Sequence, residues 1–225
     1  MQGSGLDGLF GARNVMAILR GMPVDTTVEL AVRAWELGIT AVEVPARGPD
    51  AMAALSATVE AGAERGHAVG AGTVTTADQV RAVSQAGAAF TVAPGFDAEV
   101  MAASEDAGMP HLPGVATPTD IQAVLKAGGR WVKAFPASHL GPDWVRAVRA
   151  PFPDIQVVAT GGVDARNAKE FLDAGARMVA VGSALAAPDQ IAPRRAGLRH
   201  GAVWRPTAWA AVVVRESGQG AAGVT

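Results

Sequence analysis

The stretch IQVVATGGVDARNAKEFLDAGARMVAVGS, residues 155–183, contains one complete unit of the pattern that decides the fold. An apolar run at 155–160 is followed by two glycines, an amphipathic stretch occupies 164–175, and a second apolar run fills 178–183. A strand, a helix and a strand in this order predict two parallel strands joined by a right-handed crossover. The chain is therefore expected to be of the α/β class.

The same alternation extends over most of the chain. Helix-like stretches such as 25–38 and 75–87 begin with Asp or Thr, which suit N-caps, and end in glycine, which suits a C-cap. Eight short apolar runs occur at 15–20, 41–46, 68–73, 90–94, 111–115, 131–135, 155–160 and 178–183. Eight strand–helix units predict a (β/α)₈ TIM barrel as a single domain over residues 1–225. A doubly wound open sheet is the alternative.

Composition limits the classes of function. The chain has 225 residues, 49% of them hydrophobic and 18% charged, with a net charge of −2 and no cysteine. No basic run precedes the C-terminal region and no apolar run reaches the length of a membrane span, so we expect neither a nucleic-acid nor a membrane partner. The absence of cysteine excludes disulfides and suits a reducing cytoplasm, where we expect the protein.

Both ends of the chain depart from the alternation. Residues 1–14 have no signal-peptide pattern and are interpreted as an N-terminal extension. Residues 188–225 are rich in Gly, Pro and Arg and have no clean amphipathic period, although the last barrel helix should fall there. We expect an atypical, partly disordered tail.

Lys133 is the strongest candidate for chemistry. It lies inside the apolar run at 131–135, whereas the other two lysines, Lys126 and Lys169, occur in amphipathic stretches that predict solvent exposure. Burial lowers the pKa of a lysine, and a neutral amine can attack a ketone to form a Schiff base. The alternative is a lysine whose stem packs in the core while its ammonium group reaches water or a carboxylate.

Glu43 is a second polar residue in an apolar run. Strand alternation places Val42 and Val44 on the opposite face. A buried carboxylate needs a partner, and Lys133 could form a structural ion pair with it. In the other interpretation Glu43 is the general acid and base beside a Schiff-base lysine. The residues alone leave both open.

Glycines follow the last two predicted strands. Gly161 and Gly162 come after the seventh, and Gly182 and Ser183 end the eighth. Barrels often bind phosphate between the loops after strands seven and eight, on backbone N–H groups that glycine leaves accessible. This pattern predicts a phosphorylated ligand.

Other polar groups end predicted strands at the same mouth of the barrel. Arg20 and Arg47 suit a carboxylate or phosphate, or lie on the surface. Thr73 could donate to a substrate oxygen or cap the following helix. The four histidines have no ligand spacing, so no metal site is predicted. Further strand-end candidates are Pro94, Phe135 and Thr160.

Two segments resemble the 2-keto-3-deoxy-6-phosphogluconate (KDPG)/4-hydroxy-2-oxoglutarate (KHG) aldolase family. GITAVEVPAR (38–47) resembles the segment around the family's catalytic glutamate, and GGRWVKAFPASHLG (128–141) resembles its Schiff-base segment. The shorter pieces ILRG, GAGTV, PG, TGGV and GS occur in the family's order. The resemblance covers about residues 12–187.

The resemblance implies a class I aldolase, a homotrimer that needs no metal or other cofactor because the substrate is held as an imine on Lys133. Its substrate would be a small phosphorylated 2-keto acid, KDPG, which is cleaved to pyruvate and glyceraldehyde 3-phosphate, with KHG as a further substrate. Glu43 would shuttle protons. The implied substrate-binding residues are Arg47 and Thr73 for the carboxylate end, Gly161, Gly162 and Ser183 for the phosphate, and Arg20, Pro94, Phe135, Thr160 and Gly182 around them.

The sequence departs from the family pattern in several places. Pro45 and Ala46 resemble the galactonate-type branch, whereas Arg47 and Thr160 resemble the gluconate type. Ala134 replaces a bulkier residue, and the tail from residue 188 does not resemble the closing helix. The alternatives are a 2-keto-3-deoxy-6-phosphogalactonate aldolase, another phosphate-binding barrel enzyme in which Lys133 is only an ion-pair partner, and a catalytically silent sugar-phosphate binder.

Overall fold

A computed structural model of the chain describes residues 5–182. Its sheet consists of nine strands, and every neighbouring pair is parallel. The strands are β1 (Val15–Ile18), β2 (Ala41–Pro45), β3 (Val69–Gly72), β4 (Phe90–Val92), β5 (His111–Leu112), β6 (Gly114–Val115), β7 (Trp131–Ala134), β8 (Gln156–Thr160) and β9 (Met178–Val181).

The sheet closes at the fifth predicted strand, which Pro113 divides into β5 and β6. Hydrogen-bonded neighbours follow the order β5-β4-β3-β2-β1-β9-β8-β7-β6. The Ala93 N–H donates to the carbonyl of Leu112 at 3.0 Å, and the Lys133 N–H donates to that of Pro113 at 2.8 Å. The segment 111–115 therefore joins both ends of the sheet, with a break where proline has no N–H to give. The predicted barrel is confirmed and the open sheet is excluded.

Helices connect the strands outside the barrel. A helix lies in each crossover, and the described helices are α1 (Leu6–Phe10), α2 (Val24–Glu36), α3 (Pro49–Ala63), α4 (Ala77–Gln85), α5 (Ala98–Asp106), α6 (Pro118–Lys126), α7 (Ala137–Arg149) and α8 (Ala168–Asp173). Helix α7 is kinked at Gly141, where φ is +78°. The predicted tail at 188–225 lies outside the described residues.

The helix caps follow the sequence prediction in part. Thr76 accepts a hydrogen bond from the Gln79 N–H at the start of α4. Asp25 and Asp164, which begin the stretches predicted as helices, are not N-caps: α2 begins after Pro23 and α8 after Asn167. The glycines predicted to end helices do adopt positive φ, as at Gly87 and Gly175.

Strand alternation divides the apolar residues into two cores. Val15, Ala17 and Leu19 face the helices, whereas Met16 and Ile18 from the same strand face the barrel interior. Val42 and Val44 lie in the outer core, as the alternation around Glu43 predicted. An all-parallel sheet covered on both sides needs apolar side chains on both faces, which is why the strands read as continuous apolar runs.

Helix α1, within the predicted extension, covers the amino-terminal end of the barrel. The Phe10 ring is 1% exposed and lies edge-on to Phe90 and Trp131, with ring centroids 5.2 Å apart in each pair. The Trp131 indole N–H donates to the Asp7 carboxylate at 3.1 Å. Leu6 and Phe10 are therefore part of the inner core of the barrel. Across residues 5–182, no helix combines the length and hydrophobicity that crossing a membrane would require.

Candidate active site

Lys133 lies on β7 with its side chain inside the barrel. It is 4% exposed, whereas Lys126 and Lys169 are exposed as predicted. Its Nζ lies 5.0 Å from the centroid of the Phe135 ring. The strand alternation that puts Trp131 in the inner core brings Lys133 to the same side one step nearer the carboxyl-terminal mouth.

Glu43 lies on β2 and is also inside the barrel, 1% exposed. Neither of its carboxylate oxygens has a hydrogen-bond partner among the described residues, Lys133 included. The two groups are therefore not a hydrogen-bonded structural ion pair. Their charges still affect each other across the barrel interior: the charge of Lys133 lowers the pKa of Glu43, and that of Glu43 raises the pKa of Lys133, although desolvation is the larger cause for both.

Burial shifts the pKa values of both groups toward the neutral forms. Desolvation raises the pKa of Glu43, and the charges of Lys133 and Arg20 oppose that rise. Desolvation likewise lowers the pKa of Lys133; the Glu43 carboxylate opposes that shift and Arg20 reinforces it. A lysine with a lowered pKa loses its proton more readily and can then attack a carbonyl, and a carboxyl group with a raised pKa suits the transfer of a proton to the carbonyl oxygen.

A cavity of about 320 Å³ opens above Lys133 at the carboxyl-terminal mouth. Six predicted site residues besides Lys133 line it: Arg20, Phe135, Thr160, Gly161, Gly162 and Gly182. Thr160 is buried, and its hydroxyl has no partner among the described residues. An unsatisfied hydroxyl in a cavity wall is free to bond a ligand.

The two glycines after β8 form a tight turn without side chains. Gly161 and Gly162 have φ of +95° and +73°, a region that glycine adopts without strain. The Asn167 amide donates to the Gly162 carbonyl at 2.9 Å, and the Ser138 N–H donates to that of Gly161 at 2.9 Å. A Cβ on Gly162 would lie 2.5 Å from the Ser138 hydroxyl oxygen. The turn is held from two sides and has room only for glycine.

Arg20 and Thr73 meet across the end of β2. The Arg20 guanidinium donates to the Thr73 hydroxyl at 3.4 Å. Thr73 follows β3 with φ of +62°, an uncommon value for a threonine. The ends of β1 and β3 thus approach each other at the mouth of the barrel through these two side chains.

The remaining predicted site residues are elsewhere. Arg47 lines a second hollow, of about 630 Å³, between the starts of α2 and α3; Met22 belongs to both hollows. Pro94 is exposed and its carbonyl lies against Gly114, outside the lining of the Lys133 cavity. Ser183 lies outside the described residues. Ala134 faces the outer core, away from the cavity, and nothing in the structure explains its small size.

Several lining residues were not found from the sequence. Ile18, Met22, Val163 and Ala180 complete the cavity wall. Apolar side chains at strand ends are indistinguishable from core residues in a sequence, so no signal marked them. Within residues 5–182, no three His, Asp or Glu side chains are grouped so that they could hold a metal ion.

Comparison with known proteins places this site in a family. The family model described as KDPG and KHG aldolase matches residues 8–195. The chain belongs to the KDPG and KHG aldolase family. The resemblance seen around Glu43 and Lys133 is thus confirmed at the level of the family, and the protein is an aldolase.

Relatives of this KDPG/KHG aldolase family member come from both sugar-acid branches. A probable 2-dehydro-3-deoxy-6-phosphogalactonate aldolase from Rhizobium meliloti is 36% identical over 177 residues, 78% of this chain and 83% of the relative. A 2-dehydro-3-deoxy-phosphogluconate aldolase from Pseudomonas aeruginosa is 38% identical over 137 residues, 60% of this chain and 61% of the relative.

A solved structure from the family shows related chemistry. The KDPG aldolase from Legionella pneumophila, with pyruvate captured as a covalent carbinolamine intermediate, superposes with a TM-score of 0.72 and is 30% identical. The match covers 78% of this chain and 85% of that one.

Proposed function

We propose that this protein is a class I aldolase that cleaves KDPG to pyruvate and glyceraldehyde 3-phosphate, with KHG as a further substrate. The observation that carries the proposal is a buried lysine that lines a strand-end cavity, together with the buried Glu43 carboxyl group, which has no hydrogen-bond partner within residues 5–182. Membership of the aldolase family supports it.

Lys133 is the nucleophile in this proposal. Its lowered pKa leaves a larger fraction of neutral amine, which attacks the C2 ketone of the substrate. Loss of water from the carbinolamine gives a protonated imine. The imine nitrogen accepts the electron pair when the C3–C4 bond breaks, so the reaction needs no metal or other cofactor.

Glu43 is the proton carrier. Its raised pKa suits a group that must be protonated to expel water from the carbinolamine and ionised to take the C4 hydroxyl proton at cleavage. The enamine left on Lys133 is then protonated at C3, and hydrolysis releases pyruvate. One carboxyl group can serve these steps in turn because each returns it to the form that the next step needs.

The two charged ends of the substrate would be held by residues that line the cavity and by strand-end residues beyond its lining. Arg20, Thr73 and Arg47 are proposed for the carboxylate end, which requires the Arg47 side chain to turn from the second hollow. Gly161, Gly162, Gly182 and Ser183 are proposed to bind the phosphate through backbone N–H groups, with Phe135, Pro94 and Thr160 alongside. The exposed positive φ turn at 161–162 supports this assignment.

The galactonate isomer is the alternative substrate. Its support is the relative from the galactonate branch and Pro45, which ends β2 beside the second hollow. Comparing cleavage rates for the gluconate- and galactonate-derived sugar acids decides between the branches.

Borohydride trapping tests the nucleophile. Incubating the protein with pyruvate, reducing with borohydride and mapping the peptides should place a reduced pyruvate adduct on Lys133. Lys126 and Lys169, which are exposed, are internal controls and should remain unmodified. An unmodified Lys133 would refute the Schiff-base mechanism. An adduct without cleavage of any sugar acid would favour the silent sugar-phosphate binder.

The assembly implied by the family resemblance is a homotrimer. Light scattering of the purified protein should then give about three times the chain mass of 22.8 kDa. A mass equal to one chain would contradict it.

A further inference from the structure

Strand β3 has glycine at both of its inward positions, Gly70 and Gly72. In the sheet register Gly70 lies between Glu43 on β2 and Phe90 on β4, and Gly72 lies beside Pro45 and Val92. Glycine in a strand interior weakens the strand and often marks a close approach of another group. The neighbours' side chains fill the space that β3 leaves empty.

The Glu43 carboxyl group fills the space at Gly72. A Cβ added to Gly72 would lie 1.8 Å from Oε1 of Glu43, 2.6 Å from its Cδ and 2.9 Å from its Cγ. At Gly70 an added Cβ would lie 2.2 Å from two atoms of the Phe90 ring. Gly72 thus leaves room for the side chain of Glu43, and Gly70 leaves room for the ring of Phe90 in the inner core.

Little else fixes the Glu43 carboxyl group. It is buried, yet neither oxygen has a hydrogen bond among the described residues. Its position therefore depends on contacts between packed atoms and on the charges of Lys133 and Arg20. The absence of a Cβ at Gly72 is what leaves room for the carboxyl group at this position.

We propose that Gly72 is a positioning residue for the aldolase reaction: the missing side chain at position 72 is what lets the Glu43 carboxyl group lie within reach of the imine on Lys133. This inference rests on the proposed function. A methyl group at position 72 would meet Oε1 of Glu43 at 1.8 Å, whereas Cβ atoms approach other atoms no closer than about 3 Å, so the carboxyl group must move by more than about 1 Å. Displacements of that size in an active site cost on the order of 100-fold in rate.

Exchange of the C3 protons of pyruvate in D₂O isolates the step concerned. In the imine, Glu43 takes a C3 proton, the C–H electron pair forms the C2–C3 double bond, and the C2–N double-bond pair moves to nitrogen. Reversal with a deuteron restores the imine and leaves deuterium at C3. The assay needs no aldehyde and no phosphate, so it reports on Glu43, Lys133 and the residues proposed for the pyruvate carboxylate without the phosphate-binding end of the site.

Gly72→Ala should slow this exchange about 100-fold, while borohydride still traps pyruvate on Lys133 after long incubation. Gly70→Ala is the matched control because it adds the same methyl group to the same face of the same strand. It should lower the unfolding temperature, since it collides with Phe90, but leave exchange within a few-fold of the parent when both are folded. Equal exchange rates in the two variants would overturn the inference.

A second variant tests the contact itself. Glu43→Asp shortens the side chain by one methylene and should slow exchange in the parent chain. In the Gly72→Ala background the same change removes the closest contact, that of Oε1 at 1.8 Å, and should therefore speed exchange and raise the unfolding temperature. If Gly72→Ala alone does not fold, Gly72→Ala/Glu43→Asp must fold and exchange.

Three outcomes are thereby separated. If Glu43→Asp slows exchange in both backgrounds, or if the double variant does not fold, the positioning role is wrong. Should Glu43→Gln retain full exchange and cleavage, the proton-carrying role of the proposed function fails instead. Opposite effects of Glu43→Asp in the two backgrounds would establish the role, because a general loss of stability at position 72 does not predict a change of sign.

Discussion

At the scale of single residues, Lys133 and Glu43 combine deep burial with electrostatic coupling. The carboxylate raises the pKa of Lys133, and the Arg20 guanidinium lowers it. Both effects are weaker than desolvation, which is the largest cause of the lowered pKa. Glu43 and Arg20 thus shift the pKa of Lys133 in opposite directions.

Removing each neighbour should therefore shift the pH dependence of imine formation in opposite directions. The rate of trapping rises with pH until Lys133 has lost its proton. Because Glu43→Gln removes a charge that raises the pKa, this rise should move to lower pH, and Arg20→Met should move it to higher pH. The measurement is the rate of trapping with pyruvate as a function of pH. The variants are compared by the pH at which the rate is half-maximal, not by the maximal rate. Shifts in the same direction would contradict the electrostatic account.

Thr160 should affect binding without supporting the fold. Its hydroxyl is buried at the cavity and lacks a partner among the described residues, so replacing it with a methyl group removes no hydrogen bond that the structure shows. Thr160→Val should leave the unfolding temperature unchanged or higher, while KM for the sugar acid rises.

Thr91→Val is the control for Thr160→Val. Thr91 is equally buried, but its hydroxyl contacts Ser104 at 2.6 Å and His111 at 2.7 Å. Its removal should cost about 1 kcal/mol of stability or more. A stability loss of that size in Thr160→Val, or an unchanged KM, would contradict the binding role.

At the scale of elements, the two ends of the barrel have different tasks. Site residues come from the carboxyl-terminal strand ends, while α1 closes the amino-terminal end with Phe10 against Phe90 and Trp131. The sequence interpretation set residues 1–14 aside, since a five-residue helix has no periodicity to recognise. Helix α1 belongs to the fold because Phe10 packs against residues that lie far away in the sequence.

Phe10→Ala should therefore cost stability but not chemistry. Truncating a buried phenylalanine costs about 3–5 kcal/mol, which for a chain of this size corresponds to a fall in the unfolding temperature of roughly 10 °C. At a temperature where the variant is folded, kcat for cleavage should match that of the parent, because the site lies at the other end of the barrel. Calorimetry and steady-state kinetics test the two statements, and a large loss of kcat in the folded variant would contradict the separation.

At the scale of the whole molecule, a buried histidine ties β4, β5 and α5 together. Ser104 donates to the Met109 carbonyl at 2.7 Å, so Thr91 must donate to Ser104, and the Nδ1–H of His111 must donate to Thr91. His111 is 5% exposed, and its Nε2 has no partner among the described residues. Burial lowers the pKa of His111 to about 4, although Asp97 opposes that shift.

This histidine should make global stability depend on pH. Above about pH 6.5, the ordinary pKa of histidine, His111 is neutral in both the folded and unfolded chain and contributes no slope. Between about pH 6.5 and pH 4 the unfolded chain binds a proton that the folded chain does not, so the free energy of unfolding falls by about 3 kcal/mol in total. Below about pH 4 the slope ends.

Denaturant unfolding across this pH range, compared with His111→Asn, measures the effect. Asparagine can keep the hydrogen bond to Thr91 but has no titrating nitrogen. The difference in free energy of unfolding between the two proteins should therefore change between about pH 6.5 and pH 4 and be constant above that range. A constant difference throughout would show that His111 does not cause the dependence.

The alternation of apolar runs and amphipathic stretches determined a parallel α/β fold, because parallel strands buried on both faces are covered by helices in each crossover, and the eight runs favoured the barrel over an open sheet. The same pattern identified Lys133 and Glu43 as candidate site residues, since an ionisable residue inside an apolar run can be recognised without knowledge of its surroundings. The tertiary structure alone decided which atoms those two groups meet. Contacts between residues far apart in the chain decided four features. They are the space that Gly72 leaves for the Glu43 carboxyl group, the packing of Phe10 against the end of the barrel, the division of the fifth strand at Pro113, and the position of Arg47 in a second hollow. Small differences in distance decide those contacts, and a sequence pattern records none of them.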